Sequence, residues 1–321
     1  MILDAATFVV AFAIALVVYP PFIRALRRLR SGQVIQSELP ESHQKKAGTP
    51  TGGGIVFAVL GIVGGLLATL AGHAGAWPAV AGLVAGGLIG FADDQSKLRV
   101  GSRGIPARLK LPIQILLAIP VAYIAISASA QPGDGPHQYL FPSYPLPLFV
   151  FPLAVIAIVG TANAVNITDG MDGLAGGLSV IAIAAMVFAL TPASAGEKAV
   201  AMSLAGALVA FLVFNRYPAR VFMGDTGSLA IGYAMAAMAI QQGWLVLLPL
   251  VALVFVLETL SVIIQMAYFK ASGGRRVFKM APIHYTFHHQ GWSENRIALT
   301  FWGAGLVSAL AAAGVVRLII R

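Results

Sequence analysis

Apolar residues run along this chain in long unbroken stretches, and polar residues fall in short segments between them. Stretches approaching the roughly 20 residues needed to cross a bilayer as a helix lie near 5–23, 52–71, 78–92, 111–129, 148–165, 174–191, 198–214, 229–241, 244–268 and 298–318. The third and eighth are short. The stretches are continuous, whereas the strands of a membrane barrel alternate apolar and polar positions. The pattern predicts an all-α, polytopic membrane protein of about ten transmembrane helices. No polar linker interrupts the series, so residues 1–321 are expected to form one membrane domain.

Composition agrees with this reading. The 321 residues are 58% hydrophobic and only 10% charged, against roughly 25% charged in soluble domains, and the mean hydropathy is +0.85. The 21 lysines and arginines fall in the loops after the first, third, seventh and ninth stretches, except Lys198, Arg317 and Arg321. By the positive-inside bias these loops, and with them the loop after the fifth stretch, are expected in the cytoplasm and both termini outside. The net charge of +9 is therefore a topology signal. Basic residues spread over four short loops argue against a nucleic-acid partner. The absence of cysteine excludes disulfides and thiol chemistry. The first stretch lacks a basic leader and a small-residue cleavage site, so it reads as a retained span. The Pro-rich segment 131–147 is expected to be an outer loop.

The 12 acidic residues carry the candidate chemistry. Asp93 and Asp94 in "GFADDQSK", Asp169 and Asp172 in "NITDGMDG", and Asp225 in "FMGDTGS" each sit beside the end of an apolar stretch. Each motif alone is compatible with a solvated loop or a helix cap. All three lie on the side expected to be cytoplasmic, and bundling of the helices would bring five carboxylates to one face. "DGMDG" is not a calcium loop, because the 12-residue pattern with its closing Glu is missing. Magnesium takes one or two carboxylates together with substrate phosphates and waters. Lys97, Arg99, Arg103, Arg108 and Lys110 follow the Asp pair, and Lys45 and Lys46 lie in "SHQKKAGTPTGGG". Carboxylates for a metal beside cations for phosphate are what phosphoryl transfer requires. No GxxxxGK[ST] loop is present, which disfavours nucleotide hydrolysis of that type.

"APIHYTFHHQGW" supplies His284, His288 and His289 next to the basic "GGRRVFK". The zincin pattern fails, because Tyr285 stands where its Glu would be, so contact with an anionic substrate is the expected role. Glycines at small-residue spacing, such as Gly82, Gly86 and Gly90, are expected to serve close helix packing. Glu258 and Gln265 lie inside the ninth stretch, and an intramembrane Glu is a functional candidate. A broken helix or a groove facing lipid headgroups would also accommodate it.

"SHQKKAGTPTGGG", "GFADDQSK", "NAVNITDGMDGLAGG", "NRYPARVFMGDTGSLAIG" and "RRVFKMAPIH…GW", in this order and over nearly the whole chain, resemble the polyprenyl-phosphate N-acetylhexosamine-1-phosphate transferases. The last motif resembles their phospho-N-acetylmuramoyl-pentapeptide transferase branch. The resemblance implies ten spans in a bacterial inner membrane, both termini outside, a cytoplasmic active site and a homodimer. It implies magnesium-dependent transfer of phospho-MurNAc-pentapeptide from UDP-MurNAc-pentapeptide to undecaprenyl phosphate, giving lipid I and UMP. It implies that Asp225 ligates the metal. Asp93 and Asp94 would act on the lipid phosphate, as its base or, in a two-step scheme, with one as nucleophile. Asn166 and Asp169 would serve the nucleotide, Asp172 and Asn215 the metal–phosphate region, and Lys97 the diphosphate, with Lys46 and Lys110 as further substrate contacts. His284 falls on the first position of the family's His triplet. The next two positions are Tyr285 and Thr286 here, with His288 and His289 following, and Gly52 replaces the usual Met. Two alternatives stand at this point: a sister enzyme transferring GlcNAc-1-phosphate to the same lipid, and an ion-coupled transporter using Glu258.

Overall fold

The computed structural model describes residues 2–29, 48–98, 104–129, 147–190 and 193–319, and every regular element among them is helical. The helices are α1 (Ile2–Arg28), α2 (Gly54–Leu70), α3 (Trp77–Lys97), α4 (Ala107–Ser129), α5 (Pro147–Thr168), α6 (Leu174–Ala185), α7 (Ala195–Asn215), α8 (Gly224–Gln241), α9 (Leu248–Val251), α10 (Leu253–Ala271), α11 (Ile283–His289) and α12 (Glu294–Ile319). Among the described residues the ten apolar stretches fall on helices, the ninth divided between α9 and α10. Segments of α1, α4, α5, α7, α10 and α12 are long and apolar enough to cross a membrane, and Gly54–Leu70 and Leu174–Phe188 are apolar but shorter. This is a multi-pass membrane protein. The remaining two, α3 and α8, carry acidic residues at their ends, which dilutes their apolar character.

Two boundaries differ from expectation. The ninth stretch is not one span: α9 is a single turn with Pro249 as its second residue, and Ala252 (φ −98°, ψ 25°) leaves helical geometry before α10 starts. Proline suits a first helical turn because it has no N–H to leave unpaired. The eighth stretch gains a turn at its N-terminus, so α8 starts at Gly224. Its first N–H groups find an acceptor in Asp94 from another helix.

Helix α8 is the centre of the bundle. All its residues from Asp225 to Gln241 are buried, as expected of a helix that is apolar on every side. It packs mainly against α3 and α5, and also touches α4 and α2. The α3 glycines allow the backbones to meet: a Cβ at Gly86 would lie 2.4 Å from Leu229 O, and one at Gly90 2.1 Å from Asp225 O. This contact bears out the small-residue packing and also builds the site. Asp94, one turn beyond Gly90, is thereby brought to the N-terminus of α8. By contrast α10 leans outward, with Leu257, Leu260, Ile263, Ile264 and Met266 exposed, a surface that suits lipid.

Candidate active site

The three acidic motifs converge. Asp93 and Asp94 end α3, Asp225 opens α8, and Asp169 and Asp172 lie in the turn between α5 and α6. Lys97 Nζ is 2.7 Å from Asp93 Oδ2 and 2.8 Å from Asp225 Oδ1. Lys110, from α4, reaches Asp93 Oδ2 at 3.2 Å and also donates to Asp225 Oδ2. Two carboxylates and two ammonium groups thus alternate in one small cluster. Asp93 Oδ1 in addition accepts the Ile105 N–H at 2.7 Å. Burial alone would raise the Asp225 carboxyl, but the charges and hydrogen bonds of Lys110 and Lys97 hold it well below the usual carboxylate range. Burial likewise opposes the Lys97 ammonium, and Asp225 and Asp93 outweigh it, raising its pKa above the ordinary lysine value.

Asp94 plays a different part. Its Oδ1 accepts the Asp225 N–H at 3.0 Å, and its Oδ2 accepts the Thr226 N–H at 2.9 Å and the Thr226 hydroxyl at 2.7 Å. A helix N-terminus leaves its first N–H groups without intrahelical partners and carries partial positive charge. Asp94 meets both demands for α8, so its carboxylate is a cap supplied from α3.

The turn between α5 and α6 is held from several sides. Asp172 Oδ2 accepts the Ala219 N–H at 2.9 Å, while its own N–H donates to Glu294 Oε2 at 3.2 Å. Asn215 accepts the Gly173 N–H and donates to Val221 O, both at 2.9 Å. Asn166, in the last turn of α5, donates to the Ser228 hydroxyl of α8 at 2.8 Å. Asp169 differs from all of these. Among the described residues no hydrogen bond or ion pair engages its carboxyl, and burial with the nearby charges of Asp225, Asp94 and Asp172 raises its pKa well above the usual value. It is the least compensated acid of the cluster.

The histidine segment folds as the short helix α11 and separates its candidates. His284 is fully buried, and its Nδ1 lies 3.0 Å from Oε2 of Glu258, which is equally buried. Tyr285 donates its hydroxyl to Gly170 O at 3.1 Å. Thr286 is tied to Met280 through both that residue's N–H and its carbonyl. His288 Nδ1 sits 3.1 Å from Trp292 O, and His289 is exposed. The structure therefore brings His284 and Tyr285 to the Asp169 turn, while His288 faces its own loop. Lys46 lies outside the described residues. The pairing of Glu258 with His284 was beyond sequence reasoning: the buried glutamate is conspicuous, but nothing in the chain says which group 26 residues away would meet it.

Comparison with known proteins agrees with this arrangement. A profile of glycosyl transferase family 4 matches residues 76–243, the span that holds all five aspartates. The chain is 42% identical over 308 residues to the phospho-N-acetylmuramoyl-pentapeptide-transferase of Heliobacterium modesticaldum, covering 94% of each chain. It is 43% identical over 311 residues to the proteins of the same name from Bacillus thuringiensis and Bacillus cereus, again over 94% of each. The chain belongs to glycosyl transferase family 4 and, within it, to the phospho-N-acetylmuramoyl-pentapeptide-transferases.

Proposed function

We propose that this protein transfers phospho-MurNAc-pentapeptide from UDP-MurNAc-pentapeptide to undecaprenyl phosphate, giving lipid I and UMP. The name shared by its relatives supports the substrates. The observation that carries the reaction type is the Asp93–Lys97–Asp225–Lys110 cluster with Asp169 beside it. Phosphoryl transfer needs little covalent chemistry from the protein and relies on positioning and on neutralising phosphate charge. Lys97 and Lys110 are ammonium donors already gathered at one point, able to turn from a carboxylate to a diphosphate oxygen. Asp93 is the carboxylate we assign to the lipid phosphate, because Asp94 is spent on the α8 backbone, whereas Asp93 lies against Lys97 and Lys110, the two cations that would gather phosphate. Asn166 and Asp169 face the nucleotide, and Asp172 and Asn215 hold the turn that presents them. The first steps of purification and assay are direct: UMP release from UDP-MurNAc-pentapeptide, with undecaprenyl phosphate and magnesium present, tests the reading.

The donor set fits magnesium. Asp225 and Asp93 offer hard oxygen atoms close enough to share the same two ammonium groups, and among the described residues the Asp169 carboxyl is engaged by no ion pair, with only the charge of Lys97 opposing that of its acidic neighbours. Among the described residues no group of three or more His, Cys, Asp or Glu is gathered to hold a metal ion unaided. That is compatible with an ion that takes few protein ligands and completes its shell with substrate phosphates and water. Asp225 would hold it, with Asp169 near, and it would supply charge neutralisation at the diphosphate. Lys97 and Lys110 would then be freed to bind phosphate oxygens.

The topology we propose has ten spans in a bacterial inner membrane, both termini outside and the acidic cluster on the cytoplasmic face. The distribution of basic residues supports it, and the protein is read as a homodimer by its resemblance to the family. A chain without native cysteine suits a labelling test. A cysteine replacing exposed Lys270 should react with an impermeant maleimide only from the cytoplasmic side, and one replacing exposed His73 only from outside. Labelling of both from one side would contradict the ten-span arrangement.

A further inference from the structure

Glu258 sits in the second turn of α10 with no exposed surface, although α10 turns many of its side chains outward. An ionisable residue at such a position is costly and calls for a partner. Its partner is His284, with Oε2 3.0 Å from Nδ1. A carboxylate accepts only, so the contact places a proton on Nδ1 and leaves Nε2 as the atom that faces outward from the pair. Nε2 is buried and, among the described residues, has no hydrogen-bond partner. It is aimed at the turn that carries Asp169, where a Cβ on Gly170 would come within 2.6 Å of it. The Tyr285 ring lies against the imidazole, with centroids 4.2 Å apart, and its hydroxyl holds Gly170 O. The ring is thus gripped on one edge and on one face, and its remaining nitrogen points into the candidate site.

We infer that Glu258 is the positioning residue of this enzyme: it fixes the orientation and tautomer of His284 so that Nε2 is presented to the sugar–diphosphate end of the donor. The inference rests on the reaction proposed above. A carboxylate behind a working histidine sets which nitrogen carries the proton, and its loss costs roughly 10- to 100-fold where the histidine binds a metal. We expect a loss of similar size here. The role also explains why the sequence places a glutamate in a mostly apolar helix, since a core position would have needed only a hydrophobic side chain.

The test is a double-mutant cycle. Glu258→Gln and Glu258→Met should each lower kcat by roughly 10- to 100-fold and change KM for the UDP-sugar by less than about threefold, the signature of an interaction made in the transition state. Either change added to His284→Ala should cost less than about a further twofold, because residues acting as one unit are not additive. Glu258 variants as active as the wild type, or losses that multiply in the double variants, would overturn the inference. So would failure of both Glu258 variants to fold while His284→Ala folds, since that would make Glu258 structural on its own account. A second readout does not depend on turnover. In protein labelled with 15N-histidine, the His284 signals, identified by their loss in His284→Ala, should show a proton on Nδ1 that Glu258→Met abolishes. No UMP release by the wild type from any UDP-sugar would defeat the proposed reaction and leave this spectroscopic result to decide the positioning role alone.

Discussion

Asp225→Asn is expected to lower UMP release by at least about 10²-fold, a loss typical of removing a preorganised electrostatic group, while the protein keeps its helical fold in detergent. The side chain retains its size and its capacity to hydrogen-bond, so the α3–α8 contact at Gly90 is undisturbed. What disappears is the charge shared by Lys97 and Lys110 and, in the proposed mechanism, the oxygen that a magnesium ion takes. Raising magnesium should restore only part of the rate. Asp94→Asn is the informative contrast. Its carboxylate is a cap, so the substitution should also lower the thermal midpoint, at a cost of about 1–3 kcal/mol for charge-assisted bonds lost from a buried site. Parallel measurement of UMP release and thermal unfolding separates the two. Near-normal turnover in Asp225→Asn would return that residue to a purely structural place in the first turn of α8.

The second large effect is expected at His284. His284→Ala removes the only α11 histidine directed at the Asp169 turn and should reduce UMP release by at least about tenfold, in line with the loss of one positioned catalytic group. His288→Ala and His289→Ala should stay within about twofold of the wild type, because one is bonded to Trp292 O within its own loop and the other is exposed. Steady-state rates for the three variants decide the matter. A large loss at His288 or His289 would mean that these later histidines replace the second and third members of the family's triplet. Small losses at both mean that Tyr285 and Thr286 serve in those places, Tyr285 at Gly170 and Thr286 by tying down Met280.

Much of the fold is legible in the pattern of apolar residues, because a bilayer demands long apolar helices and leaves few other solutions. The expected stretches are helical for that reason, the ninth in two pieces. The break at Ala252 is less legible, since Leu247–Phe255 reads as one apolar run and only Pro249 interrupts it. The candidate site was legible as residue types: Asp93, Asp94, Asp169, Asp172 and Asp225 are conspicuous beside hydrocarbon, and the structure gathers them. Their division of labour was not. Adjacent Asp93 and Asp94 look alike in the sequence, yet a helix turns successive side chains about 100° apart, sending one to the lysines and the other to the α8 backbone. The same limit hid Lys110 as a partner of Asp225, from 115 residues away. It also hid the clamp that Asn215 forms between Gly173 and Val221, where both polar ends of its side chain are spent on the backbone.

The identity of the nucleotide sugar follows from what the donor offers the site. A muramoyl donor carries a lactyl-peptide arm that GlcNAc lacks, and binding energy from that remote arm can be spent at the reacting phosphate. The direct measurement is UMP released by the purified protein from UDP-MurNAc-pentapeptide and from UDP-GlcNAc, each with undecaprenyl phosphate and magnesium. Steady UMP release with lipid I is expected from the first donor and almost none from the second. A faster reaction with UDP-GlcNAc would contradict the assignment of the substrate, and no release from either would contradict the assignment of the reaction.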